Sequence, residues 1–328
     1  MQILNSSPLQ AGLVILLDGD GAEQLCLSVR GVFALDPTGK PSLAGEQPAL
    51  SPADTHYEEP GTSSIRHEAD LGYAKVSTDV ALIGAAVATR PRTTEQEVSL
   101  RVGSAAKRAR VTGPRFVERG RERGPLELDR VPLRWELAAG GTDASPEDER
   151  DRSLEPRNPL GRGFRARRSR LPRDGSLPQV LSLGRDLNEP VGFGFIGEGW
   201  LPRRLFAGRY DAAWQEQRFP LLPRDFDVRF HNKAAPGLIT PRHLRGGEPY
   251  EIRGCTVNGV LAGELPALVI AASASVAKAG EPIEMHLNGV TFDAERMQLH
   301  MLWRGSLRIH GRLPRLRSVE IQTTGLHS

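Results

Sequence analysis

Three carboxylates are the residues of this chain best suited to acid–base chemistry. Asp225 and Asp227 are separated by a single residue, and Glu248 follows a glycine pair. On a strand, alternate side chains point to the same face, so the two aspartates would lie close enough to shift each other's pKa. Such a pair could serve a hydrolase acting on a carbohydrate or a similar substrate. The preceding Pro223 instead favours a turn, in which Asp225 would accept hydrogen bonds from backbone amides.

A second pattern, GFGFIG at residues 192–197, has the glycine spacing of a dinucleotide-binding loop. Such a loop requires a strand before it and a helix after it, so that the helix N-terminus meets the pyrophosphate. Pro190 precedes the run, and Gly199 and Pro202 follow it, which argues against an immediate long helix. We interpret the run as a turn whose glycines let the backbone pass under large aromatic side chains.

Patterns for metal binding and for nucleophilic catalysis are missing from the sequence. The eight histidines lack ligand spacing; His286, His300 and His310 could share a sheet as structural residues. There is no GxSxG, and neither Cys26 nor Cys255 follows a nucleophile signature. Two cysteines do not form a disulfide framework, which favours a reducing compartment. We therefore expect no cofactor, no metal and no enzymatic activity.

The composition predicts many short elements joined by turns. The chain has 35 glycines and 25 prolines among 328 residues, and both residue types interrupt helices and strands. Its longest apolar stretches, 13–17 and 267–272, are far too short to span a membrane. The first residues have no basic region before an apolar stretch, so no secretory signal is predicted. These features predict a cytoplasmic protein that does not enter a membrane.

Alternation of apolar and polar residues predicts the strands that would position these groups. Residues 25–29 and 98–102 alternate with a period of two, which places one face inward, and turns follow at 36–39 and at Gly103. The apolar run 80–87 suits a buried strand or a short helix. Asp211 can cap a short helix near 211–217. In the last third, strands are predicted at 249–252, 257–261, 267–272, 284–287, 298–303 and 306–310.

These elements predict a mainly β protein whose antiparallel sheets form a sandwich-like arrangement with a few short helices. Residues 1–137 would be an N-terminal β region and residues 200–328 a C-terminal β region. Residues 138–199 lack any lasting period and are predicted to be a long, irregular connector rich in glycine, proline and arginine. The three regions could form a single domain.

The run from Gly199 to Pro249 mixes aromatic residues with charges and prolines, which is typical of an ordered but irregular surface. Tryptophan, tyrosine and arginine are the side chains that commonly anchor protein–protein interfaces. The candidate partner-binding residues here are Trp200, Arg203, Arg204, Tyr210 and Trp214. The alternative is that the two tryptophans pack the sheets together.

The segment 157–173 carries seven arginines and no acid. Arg165, Arg167 and Arg168 are therefore further candidates, which would orient an acidic protein surface. Arginines could also bind phosphates, but Phe164 is the only aromatic residue of the segment, so stacking on bases is poorly supported. Nucleic acid is not the expected partner.

Taken together, these segments resemble the bacterial family of domain of unknown function 2169. The resemblance extends from about Gly12 to Val319 and rests on four stretches in the family's order. They are GFGFIGEGWLPRRLFAGRYDAAWQEQRFPLLPRDFDVRFHNKAAP with the following LRGGEPYEI, ADTHYEEPGTSSIRHEADLGYAKVSTDVALIGAA, VGSAAKRARVTGP and NPLGRGF. Two positions depart from the family pattern: Val76 follows Lys75, and Ala139 precedes the pair Gly140-Gly141.

The resemblance implies a role without catalysis. Members of the family are encoded beside type VI secretion genes and are similar to cytoplasmic adaptors or chaperones of Gram-negative bacteria. By this resemblance, the chain would bind a toxin effector and help to load it on the spike formed by valine-glycine-repeat and PAAR-repeat proteins. The family offers no catalytic residue to carry over to this sequence.

Overall fold

The fold consists mostly of short strands, in agreement with the prediction of a mainly β protein. A computed structural model describes residues 1–143, 145–166, 171, 173–184, 186, 188–276 and 279–325. Strands cover 42% of the chain and helical turns 7%, and several of the sheets are antiparallel. The fold class predicted from alternation and turn residues is therefore confirmed.

The elements are numbered in chain order. The strands are β1 (Gln2–Asn5), β2 (Gln10–Leu17), β3 (Glu23–Leu35), β4 (Pro41–Leu43), β5 (Thr55–His56), β6 (Ile65–His67), β7 (Asp79–Ile83), β8 (Ala85–Val87), β9 (Glu95–Val102), β10 (Ala105–Thr112), β11 (Phe116–Glu118), β12 (Arg121–Arg123), β13 (Arg130–Pro132), β14 (Ala139–Gly140), β15 (Arg162–Gly163), β16 (Gly175–Ser176), β17 (Val180–Leu181), β18 (Pro249–Arg253), β19 (Val260–Glu264), β20 (Val269–Val276), β21 (Ala279–Ile283), β22 (His286–Asp293), β23 (Gln298–Arg308) and β24 (Leu316–Thr324). The α-helix is α1 (Ala212–Gln217), and 3-10 turns lie at Trp135–Leu137, Glu149–Asp151, Arg203–Phe206, Val228–His231 and Leu313–Arg315.

Three sheets contain most of the longer strands. The largest has the order β2-β3-β23-β22-β7, with β4 paired to β3, and the next has the order β17-β10-β9-β18-β19. A third has the order β1-β24-β20-β21. Pairing is antiparallel except at β22 with β7, β1 with β24 and β14 with β15. In each of these sheets, a strand from residues 1–137 pairs with a strand from residues 200–328, so the predicted N-terminal and C-terminal β regions share all three sheets.

The apolar core includes residues from the two largest sheets. Leu27 and Val29 of β3 and Phe292 of β22 belong to the same buried cluster as Val98 of β9. The rings of Tyr250 on β18 and Phe292 lie 4.6 Å apart and join the two sheets. Alternation on β9 therefore has its predicted consequence, since its apolar side chains are buried while Arg101 is exposed.

The largest sheet also has a second buried face, which the alternation of β3 did not predict. Cys26, Ser28 and Arg30, which alternate with the apolar residues of β3, are all buried as well. Residues between 48 and 70 cover Arg30: its guanidinium donates to Asp70 Oδ2 at 2.5 Å and to the Pro48 carbonyl at 2.5 Å. Alternation only separates two faces, and a polar face can pack against another polar layer as well as against water.

The remaining strand predictions were confirmed in part. The run 80–87 forms strands β7 and β8, not a helix. The segments predicted at 298–303 and 306–310 are one continuous strand, and β24 was not predicted. The strand predicted at 257–261 begins later, because a turn closed by the Gly254 N–H donating to the Gly259 carbonyl occupies residues 254–259. The connector does contain short pairs such as β14 with β15, but it is otherwise irregular.

Candidate functional site

The clearest surface feature is a row of aromatic side chains around helix α1. Asp211 caps this helix, because its Oδ1 accepts a hydrogen bond from the Trp214 N–H at 2.9 Å. The Trp214 indole N–H donates to the Leu221 carbonyl at 2.8 Å, which fixes the ring. Tyr210 and Phe219 pack edge-on against it, at centroid distances of 4.8 and 5.7 Å. The row is ordered by its own contacts.

This row is accessible to solvent. Tyr210 is 55% exposed and Phe219 66% exposed, while Trp214 lies half-buried between them. Leu205 on the preceding 3-10 turn is 71% exposed, and Val228 on the following one is also exposed. Clusters of exposed apolar side chains on a folded protein commonly mark an interaction site. We call the row of Tyr210, Trp214 and Phe219 the aromatic face.

Two of the predicted partner-binding residues point into the fold. Trp200 is half-buried and meets the Trp135 ring edge-on at 5.5 Å. Arg203 is only 3% exposed, and its guanidinium donates to the carbonyls of Phe230 and Ile196 at 2.9 and 3.2 Å. Burial lowers the pKa of Arg203, and Glu198 opposes that shift. Both residues therefore hold the segment that carries the aromatic face.

The other candidates divide between exposed and half-buried positions. Arg204 and Tyr210 are exposed, and Trp214 is half-buried in the row. Arg165 is half-buried in the loop after β15. Arg167 and Arg168 lie outside the described residues.

The three candidate carboxylates each bind backbone amides in turns. Asp225 Oδ1 accepts from the Arg209 N–H at 3.1 Å, and Asp227 Oδ1 accepts from the Arg229 N–H at 2.9 Å. The hydrogen bonds from the Arg229 side chain, followed by those of its backbone, hold the pKa of Asp227 below its usual range. Glu248 accepts from two amides of the turn before it. Asp225 lies in a turn, as predicted, and each of the three carboxylates is engaged in hydrogen bonds with backbone amides.

The glycine-rich run also has the geometry predicted from its surroundings. A Cβ on Gly192 would lie 2.7 Å from the Trp135 ring, and one on Gly197 would lie 2.8 Å from the Trp200 ring. Phe193 and Phe195 between them are buried. The glycines therefore let the backbone approach the two tryptophans, as predicted.

A buried ionic cluster lies between strand β7 and the segment before it. The Lys75 ammonium donates to Glu68 Oε1 and Oε2 at 2.6 and 2.5 Å and to Asp79 Oδ2 at 2.6 Å. Asp79 also accepts from the Lys233 N–H at 2.7 Å. The Arg304 guanidinium lies 3.7 Å from Glu68. Burial alone would raise the pKa of Glu68, but Lys75 and Arg304 outweigh it, so the pKa stays below its usual range.

A cavity of about 210 Å³ lies beside this cluster. The rings of His67 and His300 stack in its wall, with centroids 5.6 Å apart. Burial lowers the pKa of His67 to about 4 and that of His300 to about 3, and nearby arginines add to the effect. Both imidazoles are therefore neutral at physiological pH. Among the described residues, no group of three histidine, cysteine, aspartate or glutamate side chains could hold a metal ion.

Comparison with models of protein families identifies the family of the chain. Residues 20–304 match the model of a family described as an uncharacterized protein conserved in bacteria, domain of unknown function 2169. The chain belongs to this family. No curated protein and no solved structure matches it.

The family match covers both the aromatic face and the ionic cluster. It leaves out β1 and β24, which pair with each other at the edge of the third sheet. No helix in the described part of the chain is long and apolar enough to cross a membrane. The aromatic face and the ionic cluster therefore both lie within the residues that match the family model.

Sequence reasoning did not identify Glu68, Lys75 and Asp79 as an ionic cluster, or Phe219 as part of the aromatic face. A signal for the cluster was present, because the stretch from Arg66 to Asp79 combines charges of both signs with few turn residues. Such a mixture also occurs on ordinary solvated surfaces. Only the covering of the sheet by this segment shows that the charges are buried.

Proposed function

We propose that this protein is a non-enzymatic adaptor or chaperone that binds a type VI secretion effector through the aromatic face. The observation that carries the proposal is the row formed by Tyr210, Trp214 and Phe219, which is exposed and yet fixed by a helix cap and ring contacts. A rigid aromatic surface loses little conformational entropy on binding and is typical of interface anchors. The family resemblance supports the choice of partner: the effector, loaded on the spike of valine-glycine-repeat and PAAR-repeat proteins.

The position of the row suits a protein partner better than a small substrate. Trp200 and Arg203 attach its base to the core, so a partner would meet a fixed surface. The carboxylates nearest the row, Asp211 and Asp225, are engaged with backbone amides. No observation favours the carbohydrate hydrolase over the adaptor.

Co-expression with the effector encoded beside the gene tests the proposal. The tagged protein, or the tag alone, is produced together with the effector and the PAAR-repeat tip protein, and complexes are isolated by affinity and size-exclusion chromatography. We expect the effector to co-elute with the protein and to be more soluble in its presence. An effector that is equally soluble, equally delivered and elutes alone would contradict the proposed function.

A double variant, Tyr210→Ser with Phe219→Ser, tests whether the aromatic face is the binding surface. Both side chains are mostly exposed, so the fold should persist. We expect the complex to be lost. Val269→Ser is the matched control, because Val269 is equally exposed but lies on strand β20. A complex that survives the double variant would place the binding surface elsewhere.

A further inference from the structure

We propose that the groove beside Trp214 binds an acidic segment of the partner protein, which inserts one apolar side chain against the indole ring. This inference rests on the proposed function and specifies the chemistry of the partner. The groove has a volume of about 340 Å³ and is lined by Ala213, Trp214, Pro223 and Arg224, among others. That volume is at the lower end for ligand pockets, so it suits a single large side chain.

The apolar part of the groove is already organised. The Trp214 indole N–H is satisfied by the Leu221 carbonyl, and Tyr210 contacts the ring edge-on. A partner side chain that stacks here can therefore be purely apolar, because the indole N–H already has its hydrogen-bond acceptor. Pre-organised aromatic pockets of this kind bind the anchor residues of interfaces.

Charge at the rim selects an acidic segment. Arg224 lines the groove, is exposed and has no carboxylate within ion-pair distance among the described residues. The neighbouring Arg209 differs, because its Nε lies 3.4 Å from Asp225 Oδ2. An uncompensated arginine beside an apolar anchor favours a partner with Asp or Glu next to an aromatic or leucine residue.

The same groove disfavours nucleic acid. Asp211 and Asp225 also line it, and Asp20 lies 3.5 Å from the guanidinium of Arg218. A phosphate chain would therefore meet carboxylates as well as arginines. Surfaces that bind single strands instead provide a continuous positive groove. A peptide can place its acids beside Arg224 and avoid the two aspartates.

Selection from a random peptide display library on the full-length protein tests the inference. We expect the enriched peptides to carry an aromatic or leucine residue flanked by acids. A labelled synthetic copy should bind about tenfold or more weakly to Arg224→Glu and to Tyr210→Ser than to the wild type. The control variants are Arg317→Glu on strand β24 and Val269→Ser on strand β20. Both positions are exposed, and both variants should bind like the wild type. Thermal unfolding confirms that each variant is folded.

Several outcomes would overturn the inference. They are the absence of any enriched peptide, the enrichment of basic or purely polar peptides, and equal binding by Arg224→Glu. Binding of a fluorescent oligothymidylate that is lost in the same two variants would assign the groove to nucleic acid instead. If the effector co-purifies with Arg224→Glu as well as with the wild type, the groove assignment fails while the adaptor function stands. If acidic peptides bind as expected but no effector does, the groove assignment stands while the adaptor function fails.

Discussion

Replacement of Lys75 by methionine tests whether the ionic cluster holds the polar face of the largest sheet. The substitution preserves the length of the side chain but removes an ammonium group that contacts two buried carboxylates at 2.5–2.6 Å. At an effective dielectric constant of about 20, one such contact is worth about 6 kcal/mol, part of which offsets the cost of burying the ions. Removing one partner of a buried pair costs about 3–5 kcal/mol of unfolding free energy. We expect a loss in that range.

The pH dependence of the loss identifies its cause. In Lys75→Met, Glu68 would be a buried carboxylate without the nearest of its cations, so a pKa raised above the unfolded value is expected for Glu68. The native variant would then bind more protons than the unfolded chain, and its unfolding free energy would recover relative to the wild type as the pH falls toward about 5. Urea unfolding at several pH values measures this difference.

Matched variants complete the experiment. Lys75→Met combined with Glu68→Gln removes one of the stranded charges and should regain about 1 kcal/mol or more over Lys75→Met alone. Lys40→Met, at an exposed position, should change stability by less than about 0.5 kcal/mol. A loss below about 1 kcal/mol, or a loss that is the same at every pH, would show that the cluster is not what stabilises this face.

Three further predictions follow from the same packing. His300 has a folded pKa of about 3, below the unfolded value of about 6.5, so its contribution to the unfolding free energy is full above about pH 6.5 and is lost as the pH falls. About 2 kcal/mol should disappear between about pH 7 and 5. The unfolding free energy of His300→Gln, measured with urea at several pH values, should fall less steeply over this interval than that of the wild type. Gly192→Ala should cost about 1–3 kcal/mol in chemical unfolding, because the new methyl group meets the Trp135 ring at 2.7 Å, whereas Gly199→Ala has open space and should be neutral. Asp211→Ala should lower stability by about 1 kcal/mol through the lost helix cap, seen as a lower midpoint of thermal unfolding; an unchanged midpoint would contradict the cap's contribution.

Local patterns were enough to predict the fold class and several elements. Alternation identified β9, and the capping residue Asp211 identified α1, because both depend on near neighbours in the sequence. Bulky aromatics next to glycines likewise revealed the close approach at Gly192. These features are set by local sterics, which a sequence displays directly.

The parts that could not be predicted depend on contacts between distant segments. Alternation on β3 identifies the apolar face, but it does not show that Arg30, or Arg304 on β23, is buried beneath the segment around Asp70. Similarly, Trp200 and Arg203 are of residue types that are common at interfaces, but their side chains pack inside the fold and hold the segment that carries the aromatic face. Composition shows which side chains are present, but the tertiary structure determines which of them are exposed to solvent.

The pairing of β3 with β23 has a consequence for synthesis on the ribosome. Ala34 pairs with Gln298 and Gln24 with Arg308, so β3 has to wait for a neighbour that is synthesised more than 260 residues later. Until then, one edge of β3 offers unpaired amides and carbonyls to other chains. Assembly dominated by such distant pairings is slow and exposes the nascent chain to aggregation. The nascent protein would thus pass through a vulnerable interval before its largest sheet can close.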